Sequence, residues 1–144
     1  MHLLHQQAKL LVAAAQTPLL RLWDMTHERC VRTVACGASQ GAGVCCVTSL
    51  GGEAGGGFLA PGGTVHATLV AGCTDGSMQL HDSRGVNTIA ASLQAGAGPV
   101  VAAAPLCNMT GASEYELISG SSDGVIKIWD VRTSQAVKAI QVVT

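Results

Sequence analysis

Short apolar–polar alternations recur three times along the chain. Leu20-Arg21-Leu22-Trp23, Met78-Gln79-Leu80-His81 and Ile126-Lys127-Ile128-Trp129 each run apolar, polar, apolar, ring. Each ends on an aspartate: Asp24, Asp82 or Asp130. A period of two is that of a β-strand with one covered face. Thirteen residues before each aspartate a second apolar segment begins: Leu11-Val12-Ala13-Ala14, Leu69-Val70-Ala71-Gly72 and Leu117-Ile118-Ser119-Gly120. The same offset in three copies makes these internal repeats, and a repeat outranks any local reading of the chain.

Between the two segments, the second and third copies carry Asp75-Gly76 and Asp123-Gly124; the first has Thr17-Pro18 instead. Asp-Gly between alternating runs predicts a tight hairpin with a primed turn, since glycine takes positive φ freely. Beyond the aspartates, Val31 and Val34, Ile89, and Val137 and Ile140 continue into a further strand, which Ser92 interrupts in the second copy. Cys45 to Leu50 and Val100 to Ala104 predict a strand ahead of each later hairpin, with Met1 to Leu4 its remnant in the first copy. Each unit therefore reads as four short strands. The units cover about residues 1–36, 43–93 and 99–144 of a single 144-residue domain.

The residues Leu22-Trp23-Asp24, Asp75-Gly76 to His81-Asp82 and Asp123-Gly124 to Trp129-Asp130 resemble the WD-repeat β-propeller family. The resemblance covers essentially the whole chain. It implies an all-β fold: a partial WD-repeat β-propeller of about three four-stranded antiparallel blades. Propellers close with about 4–8 blades, so this chain alone does not close the ring. Its exposed blade faces are expected to meet the rest of the propeller or to self-associate. The aspartates stand 58 and then 48 residues apart, against about 40–45 in the family. A glycine-rich insertion over 51–63, with seven glycines in thirteen residues, accounts for most of the excess and is expected to be a flexible loop. The family's Gly-His pair is missing ahead of each blade; Gly41-Ala42-Gly43 and Gly96-Ala97-Gly98 stand roughly there. In the family that histidine bonds the turn aspartate and links to the tryptophan. The resemblance thus implies that Asp75 and Asp123 lose a partner.

Val44 to Leu50 and Leu69 to Ser77, running on to Asp82-Ser83-Arg84, together with Leu20-Arg21-Leu22-Trp23-Asp24 upstream, are similar in order and approximate spacing to the middle blades of the C-terminal propellers of the Raptor family, the scaffold subunits of TOR complex 1. That resemblance implies a non-enzymatic adaptor in the TOR kinase complex, acting in nutrient and growth control. A second resemblance competes with it. Asp82-Ser83-Arg84 and Asp130-Val131-Arg132 follow the third strand of adjacent units as in substrate receptors of cullin-four ubiquitin ligases. There Arg84 and Arg132 would be partner-binding residues, since a planar guanidinium suits bidentate contact. The plainer reading pairs each arginine with a neighbouring blade's carboxylate or leaves it solvated.

Composition removes other classes. Eight Lys+Arg against nine Asp+Glu give a net charge of −1, with no basic stripe for nucleic acid or an anionic membrane surface. No apolar run reaches the roughly 18 residues of a membrane span. Met1 to Val12 has no basic start, and His5-Gln6-Gln7 interrupts it. No export signal is read there, so a reducing cytoplasm is expected. The six cysteines, Cys30, Cys36, Cys45, Cys46, Cys73 and Cys107, form no C-x-x-C pair. They read as thiols filling strands rather than metal ligands, and no cofactor is expected.

Two motifs invite a catalytic or ligand reading. Gly37-Ala38-Ser39-Gln40-Gly41 matches G-x-S-x-G. A serine hydrolase needs that serine on a strand–turn–helix elbow, with an acid and a histidine following in order. No helical period follows, and the pentapeptide falls between two units, so a connecting loop is expected. His2 and His5 alternate faces in a strand, and Asn108-Met109-Thr110 is a glycosylation sequon without an export signal to use it. The chain is therefore read as a protein-binding platform and not an enzyme.

Overall fold

The computed structural model describes residues 2–4, 9–13, 17–24, 27–36, 41–50, 58–59, 65–66, 68–82, 89–106 and 116–142. Every regular element among them is a strand. The first sheet orders β1 (His2–Leu4), β2 (Lys9–Ala13), β3 (Leu19–Asp24) and β4 (Arg29–Ala35) consecutively. The second contains β5 (Val44–Leu50), β8 (Thr68–Cys73), β9 (Ser77–Asp82) and β10 (Ile89–Gln94). The third runs β11 (Val100–Pro105), β12 (Glu116–Ser121), β13 (Val125–Asp130) and β14 (Gln135–Gln141). All neighbours are antiparallel, and the three sheets are the three repeats.

The glycine-rich insertion is not wholly loop. β6 (Phe58–Leu59) pairs with β7 (Val65–His66) as a small separate hairpin. Phe58 and Leu59 are the insertion's two large apolar residues, and they mark its only strand-forming stretch among the described residues.

The hairpin turns form where Asp-Gly predicts them, but with a different conformation. Gly76 N–H donates to Cys73 O at 3.2 Å, and Gly124 N–H to Ser121 O at 3.0 Å. The central residues are thus Thr74-Asp75 and Ser122-Asp123. Positive φ belongs only to the glycine that follows, +81° at Gly76 and +82° at Gly124. This is a type I turn closed by a left-handed glycine, not a primed two-residue turn.

The alternating strand faces build the core between sheets. Leu20, Cys36, Ala42, Val44, Ala71 and Cys73 bury together where the first and second sheets meet. Leu22 and Leu69 form a smaller contact at the same junction. Between the second and third sheets lie Leu50, Val70, Met78, Leu80, Leu93, Ala95, Val100, Leu117 and Trp129. The middle sheet is therefore covered on both faces. On the outermost strand β14, Val137 and Ile140 continue the repeat pattern but are exposed.

Candidate protein-interaction surface

Stacked sheets of this kind present two rims of turns, and the residues that fix those turns decide what the rims can offer. At one rim, Asp75 Oδ1 accepts the backbone N–H and the hydroxyl of Ser77. Asp123 Oδ1 accepts Val125 N–H at 3.1 Å, and its Oδ2 accepts Ala97 N–H at 2.8 Å. These amide donors hold the Asp123 carboxyl below the usual carboxylate range. The expected loss of a partner at the turn aspartates is therefore made good locally. Backbone and serine donors replace the absent histidine, and Gly96-Ala97-Gly98 delivers one of them.

In the third sheet the tryptophan is tied by a serine on the adjacent strand instead of the absent histidine. Trp129 Nε1 donates to Ser119 Oγ at 2.8 Å in a buried site. Lys127 Nζ lies 5.4 Å from the centroid of the Trp129 ring and donates to Gln94 O at 2.9 Å, tying the third sheet to the second. In the second sheet His81 takes the tryptophan's place. Its Nε2 stands 3.4 Å from Cys36 Sγ at the end of the first sheet. Burial pushes the Cys36 thiol up to about 12 and lowers the His81 imidazole. Two neutral groups face one another, so the pair lacks the thiolate of an activated nucleophile. Beside it on the same strand, Gln79 is buried with its Oε1 unpartnered.

At the opposite rim, Asp130 receives Arg132 through two charge-assisted bonds, 3.2 Å from Nε to Oδ1 and 3.0 Å from Nη2 to Oδ2. The same carboxylate caps the turn by accepting Arg132 N–H at 3.0 Å, and its pKa is lowered by that arginine. Arg132 is exposed, and its carboxylate partner Asp130 belongs to its own blade rather than to a neighbouring one. Arg84 lies outside the described residues, as do Gly37 to Gln40 with Ser39, His5, Cys107 and Asn108. Cys36 and Cys73 are buried fillers as expected, whereas Cys30 and Cys45 are exposed. Among the described residues no three His, Cys, Asp or Glu side chains gather as a metal site would require. No described helix is long and apolar enough to cross a membrane.

The sequence reading overlooked Ser119, Lys127 and the Cys36–His81 contact. Ser119 had a signal in the third copy alone, a hydroxyl ten residues before Trp129 where the other two copies carry Ala13 and Ala71. The Cys36–His81 contact had none, because its partners lie 45 residues apart in different repeats.

No family model matches the chain. Among curated proteins, the ribosome biogenesis protein YTM1 of Coprinopsis cinerea is 28% identical over 81% of this chain. The WDR12 homologue of Chlamydomonas reinhardtii, also a ribosome biogenesis protein, is 36% identical over 46% of it. The chain spans only 22% and 15% of those two proteins. Among solved structures, Chaetomium thermophilum Raptor superposes with a TM-score of 0.71 at 26% identity, over 95% of this chain and 11% of that one. A chain of the mitotic checkpoint complex superposes with a TM-score of 0.72 at 24% identity, over 96% and 35%. Three consecutive four-stranded sheets, stacked face to face with an aspartate ending each third strand, thus have the architecture of an open arc of the WD40-type β-propeller.

Proposed function

We propose that this arc is part of a non-enzymatic, Raptor-like protein-binding scaffold serving the TOR kinase complex. The observation that carries the reading is the 26% identity to Raptor across 95% of the chain, with a TM-score of 0.71. The segments Val44 to Leu50 and Leu69 to Ser77 agree with it. Stiff blades that hold exposed turns at fixed positions suit such a role, because loops on a rigid scaffold carry recognition. A second reading, a ribosome-assembly scaffold, is favoured by the two curated relatives. Affinity purification of the tagged protein from its own cells separates them. Co-purification with TOR kinase supports the first reading. Recovery of pre-ribosomal proteins without TOR kinase overturns it. A cullin-four adaptor in the eluate, lost with Arg84→Ala and Arg132→Ala, would instead assign the Asp-x-Arg role.

A further inference from the structure

The turns that join the third strand of a blade to its outer strand can be matched residue by residue. In the first blade Asp24 pairs with Arg29 and Trp23 with Cys30; in the third, Asp130 pairs with Gln135 and Trp129 with Ala136. Residues 24–29 therefore correspond to 130–135, and Ser134 stands where the first blade has Glu28. Both adopt the left-handed backbone, with φ of +55° at Ser134 and +51° at Glu28. Among the described residues no other non-glycine does so. A side chain is strained there, where glycine would not be. Both residues are exposed, so packing does not offset that strain. What the two blades hold at this place is a carboxylate in one and a hydroxyl in the other.

The surroundings of Ser134 suit an added phosphate. Arg132 lies two residues before it, exposed, with its guanidinium 3.0 Å from the Asp130 carboxylate. The neighbouring hydroxyl is already engaged, Thr133 Oγ1 donating to Asp130 O at 3.3 Å. The strand that follows, β14, is the outermost of its sheet, pairs only with β13 and is exposed along its whole length. An enzyme that binds its target as an extended segment has only this edge strand to lift, the kind of element that opens at least cost.

We infer that Ser134 is a phosphorylation site for a protein kinase that reads an arginine two residues ahead of its target, and that the phosphate takes Arg132 away from Asp130. In the transfer a bond forms between Ser134 Oγ and the γ-phosphorus of ATP. The bridging P–O bond breaks, ADP leaves with its electron pair, and the serine proton passes to the kinase's base. Glu28 marks the position as one that holds an anion in the same backbone conformation. The phosphate carries up to about two negative charges against one on Asp130, so it prevails in the competition for a single guanidinium. Arg132 is thereby withdrawn from the rim, where its side chain is now 56% exposed. The inference rests on this turn and not on which assembly the scaffold serves.

The test incubates the folded 144-residue chain with ATP, Mg²⁺ and a kinase selective for arginine ahead of its target, the catalytic subunit of the cyclic-AMP-dependent enzyme. Peptide mapping by mass spectrometry should place the phosphate on Ser134. Thr133→Ala should label as the original chain does, and Arg132→Ala should label at least about tenfold more slowly. In the product, ³¹P NMR follows the second ionisation of the phosphate, ordinarily near about pH 6. It should lie lower in the phosphorylated chain than in phosphorylated Arg132→Ala, because the guanidinium favours the dianion. Ser134→Glu should leave the melting midpoint unchanged within about 1 °C, as a surface change does where the backbone already accepts it. Labelling only of the unfolded chain or at other residues overturns the inference. So does a rate that Arg132→Ala leaves unchanged, or the same ³¹P midpoint with and without Arg132. A large loss of stability in Ser134→Glu also overturns it, since the turn would then reject the charge.

Discussion

Trp129 donates its indole N–H to the hydroxyl of Ser119 at 2.8 Å, inside the contact between the second and third blades. In the second blade the corresponding pair is His81 and Ala71. No hydroxyl is offered there, and the imidazole turns to Cys36 of the first blade instead. One position of the repeat thus serves two purposes. In the third blade it fastens two strands of the same sheet, and in the second it fastens one sheet to the sheet before it.

Ser119→Ala removes the acceptor and leaves the indole N–H buried without a partner. The expected loss is about 1–3 kcal/mol of unfolding free energy, the penalty for stranding a buried donor. Denaturant titration of Ser119→Ala, Trp129→Phe and the double variant checks this. The double variant should be less destabilised than the sum of the two single changes, because it strands nothing.

The sheets and their order were legible because the repeat phase carries both. Period-two alternation in Leu20 to Trp23, Met78 to His81 and Ile126 to Trp129 names the third strand of each blade, and a thirteen-residue offset names the second. What the phase does not carry is which face meets which neighbour. Val34 and Ile140 occupy matching places, yet Val34 packs against the core between the first two blades while Ile140 is exposed. The difference arises from what lies beyond the sheet, not from local sequence. The turn conformation was also hidden. Asp75-Gly76 fits a primed pair as well as a type I turn followed by glycine, and the partner carbonyl on Cys73 decides between them.

Gly76 and Gly124 share their positive φ but not their surroundings. A Cβ on Gly76 runs into the backbone carbonyl of Gly96, whereas one on Gly124 comes to 3.1 Å from Val142 O and Gln141 Nε2. Gly76→Ala should therefore be the more destabilising. Both changes carry the left-handed penalty of about 1–2 kcal/mol, and Gly76→Ala adds displacement of the segment that crosses to the third blade. Paired thermal melts give the order, and equal losses would mean that the crossing segment yields freely.

The thiols should separate by burial. Under native conditions iodoacetamide should modify Cys30 and Cys45 first, and reach Cys36 and Cys73 only on unfolding. Mass spectrometry of the digested protein reads each site. Burial also raises Cys36 to about 12 and Cys73 to about 11 from an ordinary 9.0. A raised folded pKa contributes stability that is complete below 9 and lost as pH rises through 11–12. Chemical denaturation should therefore show alkaline weakening from about pH 9 upward, and Cys36→Ala should flatten that decline.

His81 predicts a separate loss on the acid side. Burial lowers its folded pKa below the ordinary 6.5. The unfolded chain therefore takes up a proton near pH 6.5 that the folded chain refuses. Stability is complete above that pH and falls as pH drops through 6.5 toward the lower folded value. Asp123 acts in a lower window. Its depressed folded pKa contributes stability above the ordinary 3.8 that is lost as pH falls through the folded value. The two effects separate by variant. His81→Phe should flatten the decline that begins as pH falls through about 6.5 and leave the loss below pH 4 in place. Asp123→Asn should do the reverse. Denaturant midpoints taken across this range decide the matter, and a wild-type profile with no decline as pH falls below 6.5, ahead of the carboxylate loss, would remove His81 from the junction of the first two blades as a titrating group.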